Sequence, residues 1–228
     1  MAYRKRREER FEKPAFDIAG WNPATELGKA VKENRITSIE QIYNLGKRIQ
    51  EVEIVDALIP DIKSEVIEVK SVQRMTKNNR KMKFRVTAIV GDMNGHVGVG
   101  AAKDIEVKAS IDSAIRNAKR NIISVMLGCG SWQCTCGQRH SLPLTIRGKC
   151  GSVEVIIKPG PRGLGIVASK STKAVLQFAG VKDAWSFSRG QTSTRYNTLM
   201  AVIAALNNME EMKNLDTLEP NKAVEHNL

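Results

Sequence analysis

Three groups of residues in this sequence have types and spacings that could do chemistry. The first is Cys129, Cys134, Cys136 and His140, which fall within twelve residues in GCGSWQCTCGQRH. Thiolate and imidazole are ligands that Zn²⁺ prefers, and four of them can close a tetrahedral structural site. The intervening glycines let the chain wrap. The spacing, C-x₄-C-x-C-x₃-H, is not that of a standard finger, so two readings stand: a structural zinc site, or a loop of reduced thiols beside a polyanion. Cys150 lies apart, a spare ligand at most. The second group is Lys70, Arg74, Lys77, Arg80, Lys81, Lys83 and Arg85, with no acid between Val69 and Gly91. Uncancelled positive charge of this density repels itself unless an anion binds, and phosphate backbone binds it with release of counterions. Asn78 and Asn79 add groups that hydrogen-bond phosphate or sugar without reading a base. The alternative is a solvated edge hairpin whose lysines deter aggregation, a device that needs only one or two of them. The third group is Gly95, Gly98 and Gly100, where missing side chains admit another backbone. A nucleotide loop is excluded, because the order is G-x-x-G-x-G and no Lys-Ser/Thr follows.

No catalytic constellation accompanies these groups. There are only three histidines: His96 on the glycine-rich segment, His140 in the cysteine cluster and His226 near the C-terminus. H-E-x-x-H, G-x-S-x-G and P-loop motifs are missing. A zinc deaminase would need C-x-x-C and an adjacent glutamate, and the cluster has neither. The sequence therefore predicts a binding protein and not an enzyme.

The elements that must position these residues follow from the pattern of apolar side chains. The chain has 228 residues, 42% of them hydrophobic but only 5% aromatic, so its core must be aliphatic. The net charge of +12 favours a polyanionic partner, nucleic acid or an acidic membrane surface. No apolar run approaches the length of a membrane span, and MAYRKRREER lacks the apolar segment of a secretory signal, so a cytoplasmic protein with reduced thiols and no membrane partner is expected. Arg4, Lys5, Arg6, Arg7 and Arg10 form a basic arm that could order on a polyanion or stay solvated. Thr37 and Glu40 have capping-box spacing ahead of a short amphipathic helix over 38–49, and an acidic linker follows from Glu51 to Glu68. Residues 66–75 and 84–90 alternate as strands around the basic turn at 76–81. Asn94-Gly95 marks a tight turn into a third strand at Val97, Val99 and Ala101. Val107, Ile111, Ala114, Ile115, Ala118 and Ile122 then repeat at helical spacing, with Lys108, Arg116, Lys119 and Arg120 off the stripe.

A second α+β segment follows. Leu142, Leu144 and Ile146 alternate, as do Val153, Val155 and Ile157, about a hairpin at 148–151. Pro159 to Gly165 is a rigid loop carrying Arg162; Ser171 is a candidate cap for a helix ending before Gly180; 181–187 reads as strand and 194–206 as the last helix. The division is 1–64 extension and linker, 65–128 first domain, 129–210 second domain and 211–228 loose tail.

The run SVQRMTKNNRKMKFRVTAIVGDMNGHVGVGAAKDIEVKASIDSAIRNAKRN resembles the RNA-binding module of the small-subunit ribosomal protein S-five family. GKCGSVEVIIKPGPRGLGIVASKSTKAVLQFAGVKDAW and SRGQTSTRYNTLMAVIAAL resemble the same family's C-terminal domain. The P-x-P-R-G-x-G loop, the N-terminal extension and the longer segment between domains resemble those of archaeal and eukaryotic members, and the cysteine cluster resembles archaeal ones in particular. The resemblance implies an α+β fold, with a double-stranded-RNA-binding-like β-β-β-α module followed by an α+β sandwich domain. It implies contact with small-subunit rRNA near the mRNA entry and decoding region. It also implies a neighbouring S-four family protein, other small-subunit proteins, and a role in assembly and translational accuracy. Carried to matching positions, the rRNA-contacting residues are Arg74, Lys77, Asn78, Asn79, Arg80, Lys81, Lys83, Arg85, Gly98, Gly100 and Lys103. Arg116, Arg120 and Arg162 are added on charge. The family's hairpin loop is commonly glycine-rich, and here Asn78 and Asn79 stand in its place. The alternative function is an RNA-binding module outside the ribosome, a chaperone or helicase partner.

Overall fold

A computed structural model describes residues 20–134 and 136–218. The basic arm from Arg4 to Arg10 and His226 lie outside the described residues. The chain divides into two compact units after Pro60.

The first unit carries three short helices, α1 (Glu26–Lys32), α2 (Ile39–Asn44) and α3 (Glu53–Leu58). The side chain of Thr25 caps α1, accepting the Gly28 N–H at 3.1 Å. Glu51 Oε1 accepts the N–H groups of Ala24 and Thr25 at 2.9 and 2.6 Å. Leu27, Val31, Ile39, Ile42, Ile54 and Val55 are buried within this unit. Three expectations are corrected. The α2 helix stops at Leu45 because Gly46 takes φ 65, where the left-handed conformation breaks the ladder. Its N-cap is Ser38, without a side-chain bond, and the Thr37 N–H is taken by Gln41 Oε1 at 3.1 Å, so no capping box forms. The acidic piece read as linker contains α3, whose Ile54 and Val55 are fully buried.

The second unit contains two four-stranded sheets. In the first, β1 (Lys63–Met75), β2 (Arg80–Gly91) and β3 (His96–Asp104) form an antiparallel meander. The α4 helix (Val107–Arg120) crosses one face, and β4 (Ile122–Ser124) pairs with β3 at the edge. Ala114, Ile115 and Ala118 of α4 pack on Val86, Ala88 and Val90 of β2. This is the expected β-β-β-α order with one added strand, and Ile122 belongs to β4 instead of the helix. Lys119, read as solvent-facing, is buried.

The second sheet has order β5-β6-β8-β7, from β5 (Ile146–Cys150), β6 (Val153–Pro159), β7 (Ile166–Val167) and β8 (Ala184–Arg189). Only the β7–β8 pair is parallel. The α5 helix (Lys170–Phe178) connects β7 to β8, and α6 (Arg195–Leu218) follows β8. Ser169, not Ser171, caps α5, accepting the Thr172 N–H at 3.4 Å. Leu144 is 54% exposed while Leu142 is fully buried, so the strand begins only at Ile146. The last helix runs well past Leu206, through the start of the segment read as loose tail. The two sheets share one apolar layer, in which Ile89, Val97 and Val99 meet Val153, Val155, Ile157, Leu176, Leu199 and Leu206. The first sheet is thus covered by α4 on one face and by the second half of the unit on the other.

Candidate nucleic-acid interface and metal centre

The register of β1 and β2 determines where the cations point. Cross-strand partners share a face and successive residues alternate. Lys70 pairs with Arg85, Val72 with Lys83, and Arg74 with Lys81. Arg85 in turn pairs with Lys103 on β3. Lys70, Arg74, Lys81, Lys83, Arg85 and Lys103 therefore project from one face, in rows across the sheet. The same alternation puts Met82 and Phe84 on the face of Val86, toward α4, and Arg80 beside Met75 there. Lys77 sits at the tip.

Pairing with β3 begins at Phe84 opposite Asp104, so Val72–Met75 and Arg80–Lys83 run on as a two-stranded arm. Four residues at ~3.3 Å each carry it about 13 Å beyond the sheet. The turn closes without glycine. The Thr76 N–H donates to the Asn79 carbonyl at 2.8 Å, the Thr76 hydroxyl donates to the same oxygen, and Asn79 Oδ1 accepts the Arg80 N–H at 2.7 Å. No residue from Thr76 to Arg80 has positive φ. Asn79 thus serves the turn, while Asn78 is exposed at the tip.

The base of the arm is anchored and the arm itself is not. Lys70 Nζ lies 3.0 Å from Glu68 Oε1, and Arg195 of α6 reaches the same oxygen at 3.7 Å. The Arg85 guanidinium stands 4.5 Å over the Tyr196 ring. Among the described residues, no carboxylate is paired with Arg74, Lys77, Arg80, Lys81 or Lys83, all of them exposed. Glu68 and Tyr196 were invisible to sequence reasoning because both lie outside the charged run.

Gly98 and Gly100, carried over as rRNA contacts, are corrected. Both are buried, and a Cβ on either would collide with the backbone of α4 at Ala118. The backbone they admit is the chain's own helix. Arg116, Arg120 and Arg162 are exposed, as expected, but none lies on the arm.

The four candidate metal ligands do converge. Their ligand atoms all lie within 4.8 Å of one another. Cys134 Sγ is 3.7 Å from His140 Nε2, and Cys136 Sγ is 3.6 Å from Cys129 Sγ. Tetrahedral sulfur ligands at ~2.3 Å from zinc would stand about 3.8 Å apart, and these two spacings match that geometry. His140 Nδ1 lies 2.8 Å from Asp183 Oδ2, both side chains 6% exposed. A carboxylate there directs the proton to Nδ1 and leaves Nε2 facing the thiols, the second bond usual for a zinc-bound histidine. Asp183 Oδ1 also accepts the Gly165 N–H at 2.8 Å, and the Ser141 hydroxyl donates to the Asp183 carbonyl. Hydrogen bonds from the Cys136 thiol and from the N–H groups of Arg162 and Cys136 lower the Cys134 thiol to about 6. Partial burial, reinforced by the neighbouring thiols, pushes Cys129 up. Asp183 could not be read from the sequence, since it stands far from the cluster and meets it only through the fold.

Residues 62–126 match the family described as ribosomal protein S5, N-terminal domain, and residues 148–219 match ribosomal protein S5, C-terminal domain. The Cys129–His140 cluster falls between the two matched segments. The small ribosomal subunit protein uS5 of Methanococcus maripaludis strain C7 is 49% identical over 205 residues, 90% of each chain. That of Aeropyrum pernix is 50% identical over 192 residues, 84% of this chain and 88% of its own. That of Methanocaldococcus jannaschii is 48% identical over 201 residues, 88% and 93% respectively. These are ribosomal structural proteins and not enzymes. Two family matches in the expected order, on the expected α+β architecture, and near-half identity across nine-tenths of the chain place this protein in the uS5 family of small ribosomal subunit proteins.

Proposed function

We propose that the β1–β2 arm grips small-subunit rRNA near the mRNA entry and decoding region, with the S-four family protein as a neighbour, and so supports subunit assembly and translational accuracy. The cationic face of the arm carries this reading. Six cations lie on one face, and beyond the anchored base their charge has no counter-ion among the described residues. An RNA backbone laid along that face relieves the repulsion and releases counterions. Asn78 and Lys77 meet RNA at the tip, and Arg116, Arg120 and Arg162 extend the contact elsewhere. Segment 65–128 is the gripping half, and 129–210 faces neighbours as well as rRNA. The test is sedimentation of cell extract at physiological salt. The chain comigrates near-stoichiometrically with small subunits; a chain found mainly free or with another complex would make it an RNA-binding module outside the ribosome.

Zn²⁺ is the ion that Cys129, Cys134, Cys136 and His140 fit. Its role is structural: four protein ligands leave no open position for chemistry. Metal analysis of chelator-washed protein tests it. About one equivalent of zinc is expected for a closed structural site, and less than half an equivalent sinks the assignment.

A further inference from the structure

We infer that Trp132 is a stacking platform for an unpaired base of small-subunit rRNA, a second RNA contact separate from the arm. The inference rests on the rRNA partnership proposed above and takes it to a named side chain and a kind of nucleotide. Trp132 is 88% exposed, whereas Trp21 is 9% exposed and Trp185 is half-buried. Trp132 is the most exposed large hydrophobic side chain among the described residues, ahead of Ile105 at 69% and Met75 at 67%, and an indole is a costly group to leave in water. The position is held firmly from below. Ser131 is buried, and the Cys134 N–H donates to its carbonyl at 3.1 Å, closing a turn under Trp132 and Gln133. The Gly130 N–H donates to the Leu142 carbonyl at 3.0 Å, tying the same turn to the chain leading into β5. Cys129 and Cys134, which flank Trp132 in the sequence, belong to the converging cluster.

The surroundings select the partner. The loop from Gly128 to Ser141 that carries the ring holds no acidic residue. Arg139 is exposed in the same loop. The Arg162 N–H bonds the sulfur of Cys134, which brings its loop against the turn. Gln133 and Gln138 are also exposed there. One flat exposed ring in a loop that also displays Arg139, Gln133 and Gln138 suits a base: every base has a π-face to stack, and the cation takes an adjoining phosphate.

The test measures binding of the full chain to a small-subunit rRNA transcript by Trp132→Ala and Trp132→Phe variants, with thermal melts confirming their folding. Trp132→Ala weakens binding roughly 5- to 150-fold, the range of one base stack, and Trp132→Phe retains most of the affinity. Neither changes the salt slope, because stacking releases no counterions. In a Trp21→Phe, Trp185→Phe background, Trp132 emission is quenched on binding. Parental affinity in Trp132→Ala, or unaltered emission, overturns the inference. So does a variant that binds rRNA normally yet fails to enter subunits, which would assign the ring to a protein neighbour. Failure of the rRNA partnership itself reads differently: the parent chain would then bind the transcript without steep salt dependence.

Discussion

Replacing Arg74, Lys81 and Lys83 together by alanine strips the projecting part of the cationic face. Arg85 on Tyr196 and Lys70 on Glu68 stay in place. All three residues are exposed and none makes an ion pair among the described residues, so the fold has little to lose. Arg74 and Lys81 stand directly opposite each other, and removing that like-charge pair slightly stabilises the free protein, by a few tenths of a kcal/mol. Binding should change far more. Each phosphate contact contributes roughly 0.7 to 0.9 to the slope of log affinity against log salt, so three contacts remove about 2.5. Across a fourfold rise in salt the variant then loses about thirtyfold less affinity than the parent. The assay is titration of a small-subunit rRNA transcript at about 50 to 200 mM salt. Arg80→Ala is the control, because Arg80 leaves the opposite face beside Met75; it removes at most about one contact. An unchanged slope in the triple variant would refute the arm as the main grip. A loss of slope as large in Arg80→Ala would refute the division into two faces.

Other outcomes can be checked alongside. Gly100→Ala drives a methyl into the α4 backbone and destabilises the chain by about 3 kcal/mol in denaturant unfolding, with the rRNA salt slope unaltered. Asp183→Asn keeps the cluster but weakens the second bond on His140, lowering zinc affinity about 10- to 100-fold in a chelator competition. Asp92 offers a pH test. Burial pushes its carboxyl up, but hydrogen bonds from His96 and from the N–H groups of Asn94 and His96 outweigh burial and hold it below the usual carboxylate range. A carboxylate lowered in the folded state stabilises above its unfolded pKa, and that stability is lost as pH falls through the folded value. Acid unfolding below about pH 4 should therefore flatten in Asp92→Asn when compared by melting at stepped pH.

Much of the interface was legible because strand alternation and like charge are both local properties. Seven cations without an acid marked the arm, and the period of two would have sorted them onto faces once the register was known. The register depends on the bulge near Ile67, where pairing shifts between Val66 and Glu68, and nothing in the composition there announces it. The Asn94-Gly95 turn was found, yet Met93 and not Asn94 takes the left-handed conformation, at φ 63. The reason is Asp92, whose Oδ1 accepts the Asn94 and His96 N–H groups at 2.8 and 3.0 Å and sets the turn one residue early. Gly98 and Gly100 were correctly seen as sites of close approach, but one sequence cannot say whose backbone approaches. The cysteines and His140 were legible as candidate ligands by type alone, and the fold brings them together. Asp183, which orients His140, and Trp132, which the same loop displays, became meaningful only when the fold set their neighbours.

The apolar layer between the two sheets has a consequence for how the chain is born. Ile89, Val97 and Val99 are covered by side chains as late as Leu206 and Met209. During synthesis the first sheet can pair its strands and dock α4 while its other face stays open. That face is sealed only after the last helix has emerged. Until then a nascent chain presents a row of branched aliphatic side chains beside a highly cationic arm. A chain halted at that stage exposes apolar and cationic surface together, so truncation before Leu206 should leave an aggregation-prone form.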